Sequence, residues 1–593
     1  MALTPKGKTG LIVLVLAVGL FFGIKYFAGT EMGQNVLSQK EVQKSKLLSQ
    51  VILPGAPKTT QGANVMPADM PADATAVVAG RKSSIEVMAW SAQNGMMFAN
   101  GGAQTAKGSL MEKHGVFLTI MRQDDCNKMQ TDLIKNANDF KTNPNVEPVY
   151  VAIMGDGSAS FMAGVNSELS KLGNEYLAKI VYSMGKSLGE DKLMGPKAWK
   201  ENPQSARGGV VAAYLRDGDW NIVVKWCSDN GIPVNPDEKT YDPDAMNFIA
   251  ANDFIDASQK YIAGYTEERK VVKNGKRTGD KKTITVDGVA TWTPGDVMIF
   301  ESKGGITDIV STAEYRSQMP CVVIGVDAVL KANKSSVENM ITAIGEGGDQ
   351  VKTYDVALRK ACAINAKVYN EKDENYWYTY YKGDTRADKT GLIVRLGGSR
   401  VNNLSDNLEL FGLAPGSANV FKSVYTVFGD IVVGLYPNLV PNYPEFEQAV
   451  DLTYLKEVSS TSSNTTTADN SKIDISGGVT NQVSKKAWAI EFESGKATFT
   501  TQSIKTLESL YNQSTATGLG IEIFGHTDNT GTPTGNMELS QQRADAVKTW
   551  LENKNSRFSF GRVLGRGQSE PVADNSSNSG RAKNRRVEIV LGN

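Results

Sequence analysis

The residues able to do chemistry are few and unevenly placed. Histidine occurs twice, at His114 and His526, 412 residues apart. A His-clustered zinc site and most His-based acid–base catalysis therefore lack their raw material. The four cysteines, Cys126, Cys227, Cys321 and Cys362, show no CxxC spacing, which argues against a thiolate zinc site or a thioredoxin-type motif. Cys321 lies in an apolar strand run and Cys362 in the helical run ALRKACAIN, so both read as buried hydrophobes. Four cysteines allow three pairings, and the sequence selects none. The segment GDGSAS at 155–160 lacks the lysine of a GxxxxGK[ST] phosphate loop. The chain reads as non-enzymatic, with no cofactor and no metal.

Recognition by charge remains. Residues 521–531 read IEIFGHTDNTG. The alternation of Ile521 and Ile523 marks a strand, and Asp528 sits just past its end. Arg543, 15 residues on, lies in a helix opened by the polar, proline-containing loop 532–535. A carboxylate and a guanidinium held a few ångströms apart suit a ligand carrying both an ammonium and a carboxylate. The bland alternative is a solvated surface ion pair. His526 reads as a loop-orienting residue, since no serine or cysteine partner is marked for it.

These residues belong to a chain of 593, enough for about three to five domains. Hydrophobic residues are 40% and charged residues 22%, which excludes wholesale disorder, collagen and coiled coil. The 64 basic and 64 acidic side chains cancel, which argues against a nucleic-acid binder driven by global charge.

At the N-terminus, Lys6 and Lys8 precede the uncharged run Leu11–Ile24, followed by Lys25, Tyr26 and Phe27. With a snorkelling Lys25 and an interfacial Tyr26/Phe27 belt, residues 9–29 approach the roughly 20 needed to span a bilayer. A cleaved signal peptide is the alternative, but no small-x-small site follows the run, and no cysteine follows it to receive a lipid. Residues 1–30 are expected to be a single transmembrane anchor with the N-terminus cytoplasmic and the rest periplasmic. Residues 31–83, with four prolines between 54 and 71, read as a linker, and so do the Ser/Thr/Asn-rich residues 459–485. Between them, 84–458 alternate strand and helix runs. Strands are expected at 85–90, 116–121, 149–154, 209–215, 286–292 and 321–326. Helices are expected at 103–114, 128–138, 219–230 and 337–369. That alternation implies parallel sheets with crossover helices, split into two α/β lobes. The insertion EERKVVKNGKRTGDKK (267–282) carries an Asn-Gly hairpin turn. Its positive charge reads as a solvated protrusion, or as a contact for a partner or lipid headgroups. The run YWYTYY at 376–381 reads as core or inter-lobe packing.

Several spaced elements near the C-terminus agree in order. They are Phe492-Glu493-Ser494-Gly495, the helix at 504–511, IEIFGHTDNTG, Asn536, LSQQRA at 539–544, Gly565-Arg566-Gly567, Pro571 and GRAKNRRVE at 580–588. On these residues 486–593 resemble the OmpA C-terminal-like peptidoglycan-binding domain, an α+β fold. The resemblance implies that Asp528 takes the ammonium and Arg543 the carboxylate of the diaminopimelate in a peptidoglycan stem peptide. It implies neutral hydrogen bonds from Thr527 and Asn536, and closure of the site by Arg585 or Arg586. Family members often carry Asp where this chain has Glu493, so that contact is not carried over.

A looser resemblance rests on VDGVATWTPGD (286–296), GGITDIVSTAEY (304–315), MPCVVIGVDAVLKANKSSVENMITAI (319–344), Gly195-Pro196-Lys197 and Gly208-Gly209-Val210. Residues 84–430 are similar to solute-binding proteins of the nitrate/taurine/alkanesulfonate transporter class. In such folds ligand sits between lobes at the carboxyl ends of strands. That geometry nominates Trp90, Ser91, Gln93, Asp156, Ser158, Arg216, Asp219 and Trp292 as a cleft for a small anion or sulfonate-like ligand. A Trp at a strand end is more often core or rim.

Three readings follow. The first is an inner-membrane-anchored protein of a diderm bacterium that grips peptidoglycan and displays a solute-binding-like domain for capture or recruitment. The second is a stator-like or scaffold subunit beside an inner-membrane protein partner, but 11–24 contains no Asp or Glu to couple ion flow. The third, an enzyme on the α/β unit, has no marked nucleophile.

Overall fold

The computed structural model describes residues 65–593 apart from 217, 274, 462–472 and 494. The expected span 1–30 lies outside the described residues. Among those described, no helix is long and apolar enough to cross a membrane.

Followed along the chain, β1 (Lys82–Val87), β2 (Phe117–Arg122), β3 (Val149–Met154) and β4 (Ala178–Ser187) start a first sheet. The chain then crosses into β5 (Lys192–Gly195), β6 (Val210–Ala213), β7 (Thr240–Tyr241), β8 (Asn247–Ala250), β9 (Thr266–Lys273), β10 (Lys276–Thr285), β11 (Gly288–Thr291) and β12 (Thr307–Ser311). It returns to the first sheet as β13 (Pro320–Val326), adds a hairpin of β14 (Asp384–Ala387) and β15 (Ile393–Leu396), and closes the sheet edge with β16 (Ser399–Val401). The first sheet has the order β16-β4-β13-β3-β1-β2 and the second β12-β5-β11-β6-β8. The chain crosses between the lobes at 188–191 and 312–319, and the β14–β15 hairpin packs on the second lobe, with the Thr307 hydroxyl of β12 donating to the Ile393 carbonyl at 2.7 Å.

Composition explains the layering. VYVAIM of β3 and PCVVIGV of β13 are near-continuous apolar runs, as strands covered on both faces require, and β13 is buried throughout. Helix α1 (Cys126–Thr142) buries Met129, Leu133 and Ala137, spaced by four, and is capped by the Asp125 carboxylate accepting from the Asn127 amide. Helix α2 (Gly218–Asp229) is buried on nearly every side.

Three expectations are corrected. The sheets are mixed rather than parallel: β13 returns from the second lobe and runs antiparallel to both β3 and β4. The helix expected at 103–114 shrinks to Leu110–Lys113, because Ala103 and Thr105 carry backbone bonds to the β2 edge instead of a helical ladder. The helix expected at 337–369 breaks at Tyr354 into α3 (Lys334–Thr353) and α4 (Asp355–Val368). Tyr354 is extended and its hydroxyl donates to the Val65 carbonyl. The aromatic run 376–381 packs inward, with Trp377, Tyr380 and Tyr381 buried. All four cysteines are free thiols.

The C-terminal unit is a four-stranded sheet, β17 (Gln482–Trp488), β18 (Gly520–Gly525), β19 (Phe560–Gly565) and β20 (Val587–Gly592), in the order β17-β20-β18-β19. Strand β17 starts inside the segment read as linker, as β1 does upstream. This unit touches both lobes. The Ser484 hydroxyl donates to the Asp229 carbonyl at 2.9 Å, and Asn230 Nδ2 to the Val483 carbonyl at 3.2 Å, both at the end of α2. Helix α5 (Val420–Leu435), packed on the first lobe, lies against α6 (Thr501–Thr517) of the C-terminal unit, with the Ser423 hydroxyl 3.0 Å from Asn512 Oδ1.

Candidate functional site

Strand β18 and helix α7 (Pro533–Lys554) bring the C-terminal charges together. Thr532 caps α7 by accepting from the Gly535 amide, and Pro533 fills the first helical position, where no amide is needed. The helix lies close on the sheet at glycines. A Cβ on Gly525 would stand 2.2 Å from the Ser540 carbonyl, and one on Gly565 2.4 Å from the Gln541 amide nitrogen. That close seating places Arg543 within electrostatic range of Asp528.

Asp528 is 7% exposed. Its Oδ2 lies 2.6 Å from Arg585 Nη1, and its Oδ1 accepts from the Thr530 amide at 2.9 Å. Burial pushes the carboxyl up, but the Arg585 and Thr530 hydrogen bonds outweigh it, so the group is held below its ordinary range and is ionised at neutral pH. Arg543 is 6% exposed and lies 4.9 Å over the Phe492 ring, with Nε donating to the Lys496 carbonyl at 3.1 Å. Burial and the repulsion of Arg585 lower its proton affinity, while Asp528 opposes them. Among the described residues no carboxylate forms an ion pair with Arg543. Asn536 Nδ2 donates to the Asp528 carbonyl at 3.2 Å and to Gln568 Oε1 at 2.7 Å, which ties the loop to α7. Thr527 is buried beside them, and its hydroxyl has no partner among the described residues.

Of the two arginines left open, Arg585 reaches the site. Arg586 is turned away: its guanidinium pairs with Glu588 at 2.6 Å and bonds the Glu570 carbonyl. Successive residues leaving a helix toward a strand point to opposite sides, which the sequence alone did not order. Glu493 pairs with Lys496 at 2.7 Å. His526 is buried, with no hydrogen bond at either ring nitrogen among the described residues, and burial with the nearby Arg586 pushes it down to about 4, so it is neutral.

The second candidate lies between the lobes. Of the eight nominated residues, Arg216 lines an open cavity, of about 360 Å³, with Asn127, Tyr214 and Glu238. Arg216 adopts φ 67°, donates to Glu238 at 2.8 Å and stacks 5.1 Å over Tyr436. The other seven are buried. Gln93 accepts from the Tyr369 hydroxyl, Asp156 accepts from Gln318 Nε2 at 2.8 Å, and Ser158 bonds its own turn at Gly155. Asp219 sits beside Gly218, where a Cβ would meet Met154 Sδ of the first lobe at 2.4 Å, so the lobes touch there. Trp292 stacks on Phe254 with centroids 3.6 Å apart. Trp90 Nε1, Ser91 Oγ, Trp292 Nε1, Thr293 Oγ1 and Glu190 Oε1 are buried with no partner among the described residues. Sequence reasoning missed Arg122, which pairs with Asp124 at 2.6 Å and with Glu371 at 3.0 Å. Arg122 and Asp124 line an adjoining cavity of about 540 Å³. Arg122 ends β2 and Asp124 follows it, so the same strand-end rule applied to that strand would have found them. Among the described residues no group of three His, Cys, Asp or Glu could hold a metal.

Over 88 residues the chain is 43% identical to outer membrane porin F of Pseudomonas fluorescens, covering 15% of this chain and 26% of that protein. Over 71 residues it is 44% identical to the peptidoglycan-binding protein ArfA of Mycobacterium bovis, covering 12% of this chain and 22% of that one. The chain thus spans about a quarter of the length of these curated relatives. The periplasmic nitrate-binding protein NrtA from Synechocystis aligns over 65% of this chain and 90% of that one, at 8% identity and a TM-score of 0.46. The OmpA family matches residues 491–585, and that segment of the chain is an OmpA domain.

Proposed function

We propose that this is a non-enzymatic cell-envelope protein that binds peptidoglycan non-covalently through its OmpA domain, with Asp528 receiving the ammonium and Arg543 the carboxylate of a diaminopimelate. One observation carries the reading: Arg543 is buried, and among the described residues no carboxylate forms an ion pair with it. An uncompensated buried charge is costly, and strongly perturbed charges concentrate at functional sites. The sequence relatives supply the ligand class, since one of them is described as peptidoglycan-binding. The anchor at 1–30 would hold the chain to the inner membrane with its bulk in the periplasm. Retention on purified sacculi tests the assignment. Asp528→Ala and Arg543→Ala should each release the chain, and unchanged retention would overturn the assignment.

A second reading concerns the α/β body. The unpartnered N–H and O–H groups of Trp90, Ser91, Trp292 and Thr293 between the lobes favour a small oxyanion or sulfonate-like ligand, because buried polar groups are normally satisfied. Burial, reinforced by Asp191, raises the Glu190 carboxyl well above the usual range, which lessens its opposition to an anion. A thermal-shift panel of oxyanions and sulfonates tests this. No shift across the panel would favour a scaffold that docks a membrane partner.

A further inference from the structure

The hairpin β9–β10 projects from the second lobe, joined to it through β7. It buries little of itself. Of the ten residues of β10 only Ile284 is buried, and of the eight of β9 only Arg269. Ordering each residue costs about 1–2 kcal/mol, and a two-stranded ribbon is marginal by itself, so the element is not retained for core packing.

Its charge is one-sided. Between 266 and 285 stand seven cations (Arg269, Lys270, Lys273, Lys276, Arg277, Lys281, Lys282) against Glu267, Glu268 and Asp280, a local excess of four in a chain of zero net charge. The register sets like charges directly opposite one another: Lys276 faces Lys273, Lys281 faces Lys270, and Lys282 faces Arg269. Such cross-strand pairs are destabilising. Three cations are compensated inside the fold. Arg269 pairs with Glu267, Lys281 with Glu268 at 2.7 Å, and Lys282 donates to the Tyr241 hydroxyl at 2.8 Å. Lys270, Lys273, Lys276 and Arg277 are exposed and have no ion-pair partner among the described residues. Lysines that guard a sheet edge against aggregation belong on the edge strand. Here Lys270 lies on β9 where β7 pairs with it, so edge protection does not account for it.

We infer that the outer half of this hairpin is a docking surface for the anionic phospholipid headgroups of a bilayer. The inference rests on the cell-envelope reading above. A membrane suits the surface better than a glycan or a nucleic acid, because residues 267–285 contain no aromatic ring on which a sugar or base could stack. A field of anionic headgroups needs charge density and no shaped pocket.

Co-sedimentation of the full chain with preformed vesicles tests it. The probes are phosphatidylcholine alone and a phosphatidylcholine–phosphatidylglycerol mixture. The apolar run at 11–24 adds equally to both, so the gain given by phosphatidylglycerol reads the hairpin. Each cation is expected to contribute about five-fold. The quadruple variant Lys270→Gln/Lys273→Gln/Lys276→Gln/Arg277→Gln should lose that gain by several hundred-fold on the same scale. The tip pair Lys273→Gln/Lys276→Gln should lose about 25-fold and serves if the quadruple variant does not fold. The gain should also fall with salt, as the Debye length shrinks from about 30 Å at 0.01 M to about 8 Å at 0.15 M. An equal phosphatidylglycerol gain for wild type and variant would overturn the inference. So would a wild type that binds soluble polyphosphate but shows no gain with phosphatidylglycerol. Sacculus retention of the same variants should stay unchanged, so a failure of the wall-binding reading would show there and not in the vesicle arm.

Discussion

Replacing Arg543 by methionine separates a ligand-binding arginine from a structural one. Among the described residues the side chain makes a hydrogen bond to the Lys496 carbonyl and a contact with the Phe492 ring. Losing these costs about 1.5–3 kcal/mol for a charged hydrogen bond and about 0.5–1 kcal/mol for the cation–π contact. Against that stands the desolvation of a guanidinium that forms no ion pair among the described residues, several kcal/mol per buried ion. Methionine fills a similar slender volume. The two sides are comparable, so Arg543→Met should change unfolding free energy by no more than about 1 kcal/mol in either direction. Wall binding should behave differently. A charge-assisted bond to a ligand carboxylate is worth about 1.5–3 kcal/mol, so the dissociation constant should rise roughly 10- to 150-fold. Chemical denaturation of the full chain and sacculus binding isotherms measure the two quantities. A loss of about 3–5 kcal/mol of stability, as when a buried ion pair is broken, with binding unchanged, would refute the assignment of Arg543 to a ligand.

Three further outcomes are expected. Asp528 has a lowered carboxyl pKa, so whatever its charge contributes is fully present above the ordinary value of about 3.9 and is lost only as pH falls through the lower folded value. Sacculus retention should therefore stay flat from pH 7 to about 4 and drop below that; a midpoint near 6 would contradict it. Gly525→Ala should destabilise the C-terminal sheet and weaken wall binding together, because its Cβ would press on the Ser540 carbonyl and lift α7; thermal melts and sacculus binding on one sample check this. Lys192 and Asp296 form a fully buried pair at 2.5 Å. Lys192→Met should therefore cost about 3–5 kcal/mol in denaturant unfolding, and Lys192→Met/Asp296→Leu should recover most of it.

Local pattern carried the strands well. The apolar runs at 149–154 and 321–326 are strands because nothing else buries six consecutive hydrophobic side chains so economically. The motif around Asp528 was legible because its residues lie close in sequence. Arg585 and Arg586 were not separable, because which of two neighbours turns inward depends on how α7 and β20 seat on the sheet. The arrangement of the cleft residues was not legible, for a related reason. The strand-end rule places Trp90, Asp156 and Asp219 between the lobes, but it cannot say whether the lobes meet there, and at Gly218 against Met154 they do. The antiparallel return of β13 was hidden as well, since a fully apolar strand reads the same in either direction.

The most direct test of the central claim compares two stem peptides by calorimetric titration into the full chain. One carries diaminopimelate, and the other carries lysine, which keeps the ammonium but lacks the second carboxylate. Wild type should bind the diaminopimelate peptide at least about 10-fold more tightly, by the value of one charge-assisted bond, and Arg543→Met should bind the two alike. Equal affinity of the wild type for both peptides would contradict the pairing of Arg543 with a ligand carboxylate.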